Sequence, residues 1–216
     1  MVMYNITNHD DKHHCFSMIT DRQQIDRLFL ALGEHLLAAK SVSIELVVCG
    51  GTALNALGFV SRPTRDVDIV AVIRRDKGSI SFVTAKPLPS VLKVAAEKVA
   101  TDFHLIADWL NPGPTDLLEF GLPDGFQGRL HTVSYGPLLK IHFAGRLDLI
   151  YFKLYALADQ GPGGRHEEDL LKLEPTPEEL KSAAAWCLRQ DPSEAFRTVL
   201  KQALEHLGAG DVARST

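Results

Sequence analysis

Two apolar runs rich in β-branched residues, "IELVVC" (44–49) and "VDIVAVI" (67–73), constrain this chain more than anything else in it. Their length, their Val/Ile content and the flanking glycine and proline predict two buried strands rather than helical turns. Gly50-Gly51 ends the first run and opens a short helix, "TALNALG", closed by Gly58 in a left-handed cap. The second run is entered through "RPTRDVD", which places Asp66 and Asp68 at its mouth. Side chains two apart point to one face of a strand, so the two carboxylates converge. The alternative is structural: Asp66 as a turn residue and Asp68 on an exposed edge.

The rest of the chain supplies helices and two more strands. A helix from Thr20, with Gln23 completing a capping box, carries Ile25, Leu28, Phe29, Leu32, Leu36 and Leu37 at helical spacing. Residues 89–103 predict a further helix, and 108–128, crowded with Gly and Pro, a loop. "RLHTVSY" and "LLKIHFA", separated by Gly136-Pro137, read as strands. Helices then follow over 145–159, 165–173, 176–190 and 193–207; the third is marked by Thr176, Pro177 and Glu179. This order predicts an α+β fold, a small mixed β-sheet flanked by helices, with a helical C-terminal subdomain. The expected organisation is a flexible arm over 1–19, a core over 20–145, and a helical part over 146–216 that shares the core.

A chain of 216 residues, 45% hydrophobic and 23% charged, is neither disordered nor collagen-like. A net charge of -4 gives no global pull on nucleic acid, leaving only a local group, Arg62, Arg65, Arg74, Arg75 and Lys77, to meet a polyanion. Cys15, Cys49 and Cys187 form no C-x-x-C pair, which suits a reducing, cytoplasmic setting. The start lacks a signal-peptide apolar region, His13 and His14 read as a solvated tail, and no stretch reaches the roughly 18 apolar residues of a membrane span.

Two adjacent carboxylates at a strand mouth favour a hard cation, Mg²⁺ or Mn²⁺, completed by water and phosphate oxygens. A Gly-Gly-Thr helix start one strand away offers free N–H groups to phosphate. Together they point to phosphoryl or nucleotidyl transfer. The P-loop, G-x-G-x-x-G, H-E-x-x-H and G-x-S-x-G signatures are all missing.

"GGTALNALGFVSRPTRDVDI" resembles the signature of the nucleotidyltransferase superfamily, the DNA polymerase β-like fold. Within it the chain is most similar to the AbiEii-like toxin branch and the bacterial DUF6036 proteins, with "DWLN" and "FKLYALADQGPGGRHEEDL" adding to the likeness. The resemblance covers roughly residues 45 to 190. It implies an NTP substrate with Mg²⁺ (or Mn²⁺) on Asp66 and Asp68. Gly50, Gly51, Thr52, Arg62, Thr64 and Arg65 would hold the nucleotide, Lys153 would contact phosphate, and Asp169 would complete the catalytic set. It further implies transfer of NMP to an RNA (such as tRNA) or protein acceptor, with a cognate antitoxin as partner in a toxin–antitoxin or phage-defence setting. The missing apolar span, not the resemblance, predicts no membrane partner.

Two departures stand out. Many members carry a third carboxylate on a later strand; "RLHTVSY" and "LLKIHFA" offer His131, Lys140 and His142 instead. The last motif keeps only a basic-basic-x-x-Asp-Leu skeleton, Arg165 to Leu170. Structural alternatives remain for the distal residues: Lys153 snorkelling, Asp169 favoured by a helix dipole, His166 on the surface, Trp109 and Trp186 as packing. Two other functions compete: a nucleotide-binding module without catalysis, and metal-dependent phosphate-ester hydrolysis.

Overall fold

The computed structural model describes residues 17–216. His13, His14, Cys15 and most of the expected arm lie outside the described residues. Residues 17–19 belong to the body of the protein: Ile19 is fully buried and exchanges two backbone hydrogen bonds of 2.8 Å with Thr64, and the Ser17 N–H donates to the His104 carbonyl. Residues 17–19, expected to be part of the arm, are thus part of the folded body.

Six strands form one mixed sheet: β1 (Ile44–Cys49), β2 (Val67–Asp76), β3 (Ser79–Val83), β4 (Leu110–Asn111), β5 (His131–Ser134) and β6 (Leu139–Phe143). The order is β3-β2-β1-β6-β5, with β4 against the start of β2 on the side that β3 covers further along. β1 is buried throughout, antiparallel to β2 and parallel to β6. The α+β expectation is met. β3 was not foreseen: Lys77 and Gly78, at φ 45° and 88°, turn β2 back on itself, and the half-exposed "SISFV" lacks the apolar run that marked β1 and β2.

α1 (Arg22–Ala38) packs against β6 on one face of the sheet, and α3 (Ser90–Phe103) packs against α1. Phe29 of α1 meets Phe143 of β6 and Tyr135, with ring centroids 6.2 and 5.2 Å apart. α1 starts one residue later than expected. Asp21, not Thr20, accepts from the Gln24 N–H at 2.9 Å, while Thr20 bonds the Gln24 side chain. An aspartate one position on satisfies the same orphan donors and takes the cap.

Beyond β6, α4 (Arg146–Gln160) is the hub for α5 (Arg165–Lys172), α6 (Pro177–Gln190) and α7 (Glu194–His206), and a short α8 (Gly210–Ser215) follows. Thr176 and Glu179 form the expected capping box of α6. Trp186 packs on Tyr151, Phe152 and Tyr155 and donates to the Gly121 carbonyl, while Trp109 is fully buried and donates to the Ala96 carbonyl. Both tryptophans are core residues. One apolar core runs from Ile19 to Ala213, so the C-terminal helices share it. Among the described residues no helix is long and apolar enough to cross a membrane.

Gly33 marks where α1 approaches the β5–β6 turn most closely: a Cβ there would lie 2.2 Å from the Tyr135 carbonyl oxygen. Gly33→Ala should therefore destabilise the fold by about 1–2 kcal/mol, overpacking outweighing the gain of about 1 kcal/mol in helix propensity. Urea denaturation measures the sign; a gain in stability would refute the close packing.

Candidate active site

Asp68 sits where three backbone segments meet. Cys49, the last residue of β1, is its partner on one side, and Asn111 of β4 is its partner on the other. Asn111 donates from Nδ2 to Asp68 Oδ1 at 2.9 Å and accepts the Gly113 N–H through Oδ1. After Cys49 the chain turns into α2 (Gly50–Ala56) through Gly50 at φ 65°. A Cβ on Gly50 would stand 1.9 Å from Asp68 Oδ2, so both the backbone angle and the carboxylate demand glycine. A register shift between Val47 and Val48 in the β1–β2 pairing bends the ladder next to this point.

Asp66 precedes β2, and its backbone is pinned: its carbonyl accepts from Thr52 Oγ1 at 2.9 Å and from Thr64 Oγ1 at 3.4 Å. Thr64 is held in turn by the bridge to Ile19. The Asn55 side chain fixes the approach by bonding both backbone groups of Arg62. In this way α2 and the segment 62–66 form one hydrogen-bonded unit that aims the two aspartates.

The C-terminal helices contribute the cations' anchor. Asp169 of α5, 1% exposed, receives Arg62 on both oxygens at 2.8 and 2.5 Å and Lys153 of α4 at 2.7 Å. Lys153 is itself buried, and its ammonium stands 3.5 Å from His166 Nδ1. Burial alone would raise the Asp169 acid, but Arg62 and Lys153 outweigh it and hold it below the ordinary value. Asp68 goes the other way. Burial first, and the Asp66 charge second, push it up to about 6 against the opposing pull of Lys153, Asn111 and Arg62. Burial and the Lys153 charge lower the His166 value, favouring the neutral ring. Cys49, raised well above its ordinary value by burial, stays a thiol and packs as a small hydrophobe.

These groups open onto a cleft of about 700 Å³ between the sheet and α4–α5. Of the residues named from sequence, Gly50, Gly51, Arg62, Thr64, Asp66, Asp68 and Lys153 line it. Three do not. Thr52 is fully buried, its hydroxyl spent on the Asp66 carbonyl, so the phosphate contact expected of that hydroxyl gives way to a positioning role. Asp169 lies beneath the two cations, and Arg65 is exposed outside the cleft wall. The expected basic rim divides: Arg74, Arg75 and Lys77 fall at the far end of β2, where Arg75 binds Glu45. His166, read as a surface residue, is half-buried in the cleft wall.

Asn111 was missed, because a two-residue strand has no periodicity to detect; "DWLN" was its only signal. Its position also corrects where a third carboxylate was sought. The strands beside Asp68 are β1 and β4, not β5 or β6, and of these β4, the later in sequence, carries an amide. Among the described residues no three His, Cys, Asp or Glu side chains gather as a metal cage. Two hard carboxylate oxygens facing a cleft still suit Mg²⁺ or Mn²⁺, whose other positions water and phosphate fill. No protein-family model, curated protein or solved structure matches the chain.

The raised Asp68 acid makes a stability prediction. Its contribution favours the fold at low pH and is lost as pH rises through about 6, so at pH 7.5 the ionised group is a liability. Asp68→Asn should stabilise the metal-free protein by about 2 kcal/mol at pH 7.5, and the gain should vanish near pH 4. Urea melts in chelator at the two pH values test this.

Proposed function

We propose that the chain is a Mg²⁺-dependent nucleotidyltransferase, moving NMP from an NTP to a macromolecular hydroxyl. The observation that carries this reading is the Asp66–Asp68 pair, aimed into a cleft beside the Gly50-Gly51 turn and opposite Lys153 and Arg62. Two cations facing three carboxylates leave the site short of positive charge, which a divalent ion bound by Asp66 and Asp68 would restore. Such an ion would neutralise the triphosphate and the charge developing on the departing pyrophosphate. Gly50 and Gly51 let phosphate oxygens approach the backbone. Lys153 and Arg62, held in place by Asp169, supply fixed positive charge that needs no rearrangement during reaction.

Glu119 and Asp159 also line the cleft, as do Asp116, paired with Lys86, and Arg165, so carboxylates beyond Asp66 and Asp68 outnumber the added cation there. Their charge disfavours a long polyanion and makes a protein hydroxyl a better acceptor than extended RNA, with a short RNA end such as that of tRNA the remaining nucleic-acid choice. A toxin–antitoxin or phage-defence setting, with a cognate antitoxin, rests on the sequence resemblance alone.

Asn111 favours a second reading. An amide beside Asp68 brings neither a third charge to a metal nor a proton acceptor, as a nucleotide-binding module without turnover would have it. Incubation with each α-labelled NTP, Mg²⁺ and bulk RNA or lysate protein separates the two. The transferase should label an acceptor, and Asp66→Ala/Asp68→Ala should lower the rate at least about 10³-fold. Mg²⁺-dependent NTP binding with no transfer would establish the binding module instead.

A further inference from the structure

A second polar constellation lies on the same sheet face as Asp68, outside the cleft. Glu45, the second residue of the otherwise apolar β1, is 7% exposed. Arg75 grips both its oxygens at 2.8 Å, and Lys140 stands 3.7 Å away. His142 Nε2 lies 2.9 Å from Glu45 Oε2, and His142 Nδ1 lies 2.7 Å from Thr132 Oγ1. Thr132 is directly opposite His142 in the β5–β6 ladder, exposed on the edge strand, while His142 is buried beneath it.

The hydrogen positions follow from the charges. Arg75 holds the Glu45 acid down to about 2, so Glu45 can only accept, and His142 Nε2 must carry the hydrogen. Burial, outweighing Glu45, lowers the His142 value and keeps the ring neutral. Nδ1 then has a free lone pair, into which the Thr132 hydroxyl donates. A hydroxyl, a neutral imidazole and a carboxylate that orients the imidazole are the parts of an activated nucleophile. Stability does not require the exposed member, since water could serve Nδ1 equally well.

We propose that Thr132 is a covalent acceptor site, with its hydroxyl as nucleophile, His142 as base and Glu45 as the group that positions the base. Thr132 lies outside the cleft wall and on an open edge, so it is presented to another molecule's active site. The inference rests on the nucleotidyl-transfer reading, and the donor is the NTP in the cleft of a second copy of this chain. Within one copy, Asp68 on β2 and Thr132 on β5 are three strand spacings apart on one sheet, about 14 Å, so transfer in cis is barred. In the step, Thr132 Oγ1 attacks the α-phosphorus and forms a phosphoester bond. The bond to the bridging oxygen breaks, its electron pair leaving with pyrophosphate. The hydroxyl proton passes to His142 Nδ1, and Glu45 balances the imidazolium.

The test mixes two variants of the full chain with NTP and Mg²⁺. Asp68→Asn is impaired in the cleft but keeps Thr132; Thr132→Val keeps the cleft but lacks the hydroxyl. Peptide mass spectrometry should find NMP on Thr132 of the Asp68→Asn copy only when the Thr132→Val copy is present. NMP on other residues or on RNA, and never on Thr132, overturns the inference and leaves the transferase reading intact. No NMP on any acceptor removes the donor and both readings fall. A second arm is independent of the cleft. A fluorophosphonate should label Thr132 of the wild type and Thr132→Ser about 100-fold faster than that of His142→Asn, and equal rates would overturn the relay itself.

Discussion

The candidate site depends on one contact, the Asp68 carboxylate lying against the bare Cα of Gly50. Any side chain at Gly50 would push Asp68 out of line and separate it from Asn111 and Asp66. The contact exists because β1 ends opposite Asp68 and the backbone then takes a left-handed turn into α2. That turn also brings Thr52 beneath the Asp66 carbonyl. A sheet junction, a helix start and a carboxylate pair thus follow from a single backbone angle.

Charge sets the second constraint. Asp169 is buried with Arg62 and Lys153 as its ion-pair partners and orients those two long side chains. Since Asp169 comes from α5 and Arg62 from the segment before β2, the pair ties the C-terminal helices to the sheet across the cleft. Asp68 carries the opposite balance. It is held where ionisation is unfavourable, with Asp66 adding to the penalty, a strain that an apolar or neutral side chain would relieve. A buried carboxylate beside a second one in a cleft is a perturbed group of the kind that marks candidate functional sites.

Much of the fold was legible. β1, β2, β5, β6 and the long helices announce themselves by apolar runs, periodicity and caps. Residue type and spacing singled out Asp66, Asp68 and Gly50, while Lys153 and the nucleotide-binding role of Arg62 came from the resemblance, and all five line the cleft. What the sequence hid was long-range pairing. β4 is two residues long, so Asn111 becomes visible only through its register with Asp68. Residues 17–19 looked like an arm because the partner of Ile19, Thr64, lies 45 positions away. Thr52 was assigned to phosphate because a side chain's direction at a helix start is fixed by tertiary contacts, here the Asp66 carbonyl. His142 was noticed only as a non-acid; its relay to Glu45 and Thr132 spans three strands.

The most direct test of the carboxylate pair is a Mn²⁺ titration followed by water-proton relaxation, with and without an α,β-methylene NTP analogue. Wild type should bind Mn²⁺ at one site that tightens with the analogue, and Asp68→Asn should lose that site. Equal Mn²⁺ binding by wild type and Asp68→Asn, or none by wild type even with the analogue, would contradict the assignment of Asp66 and Asp68 as a cation site.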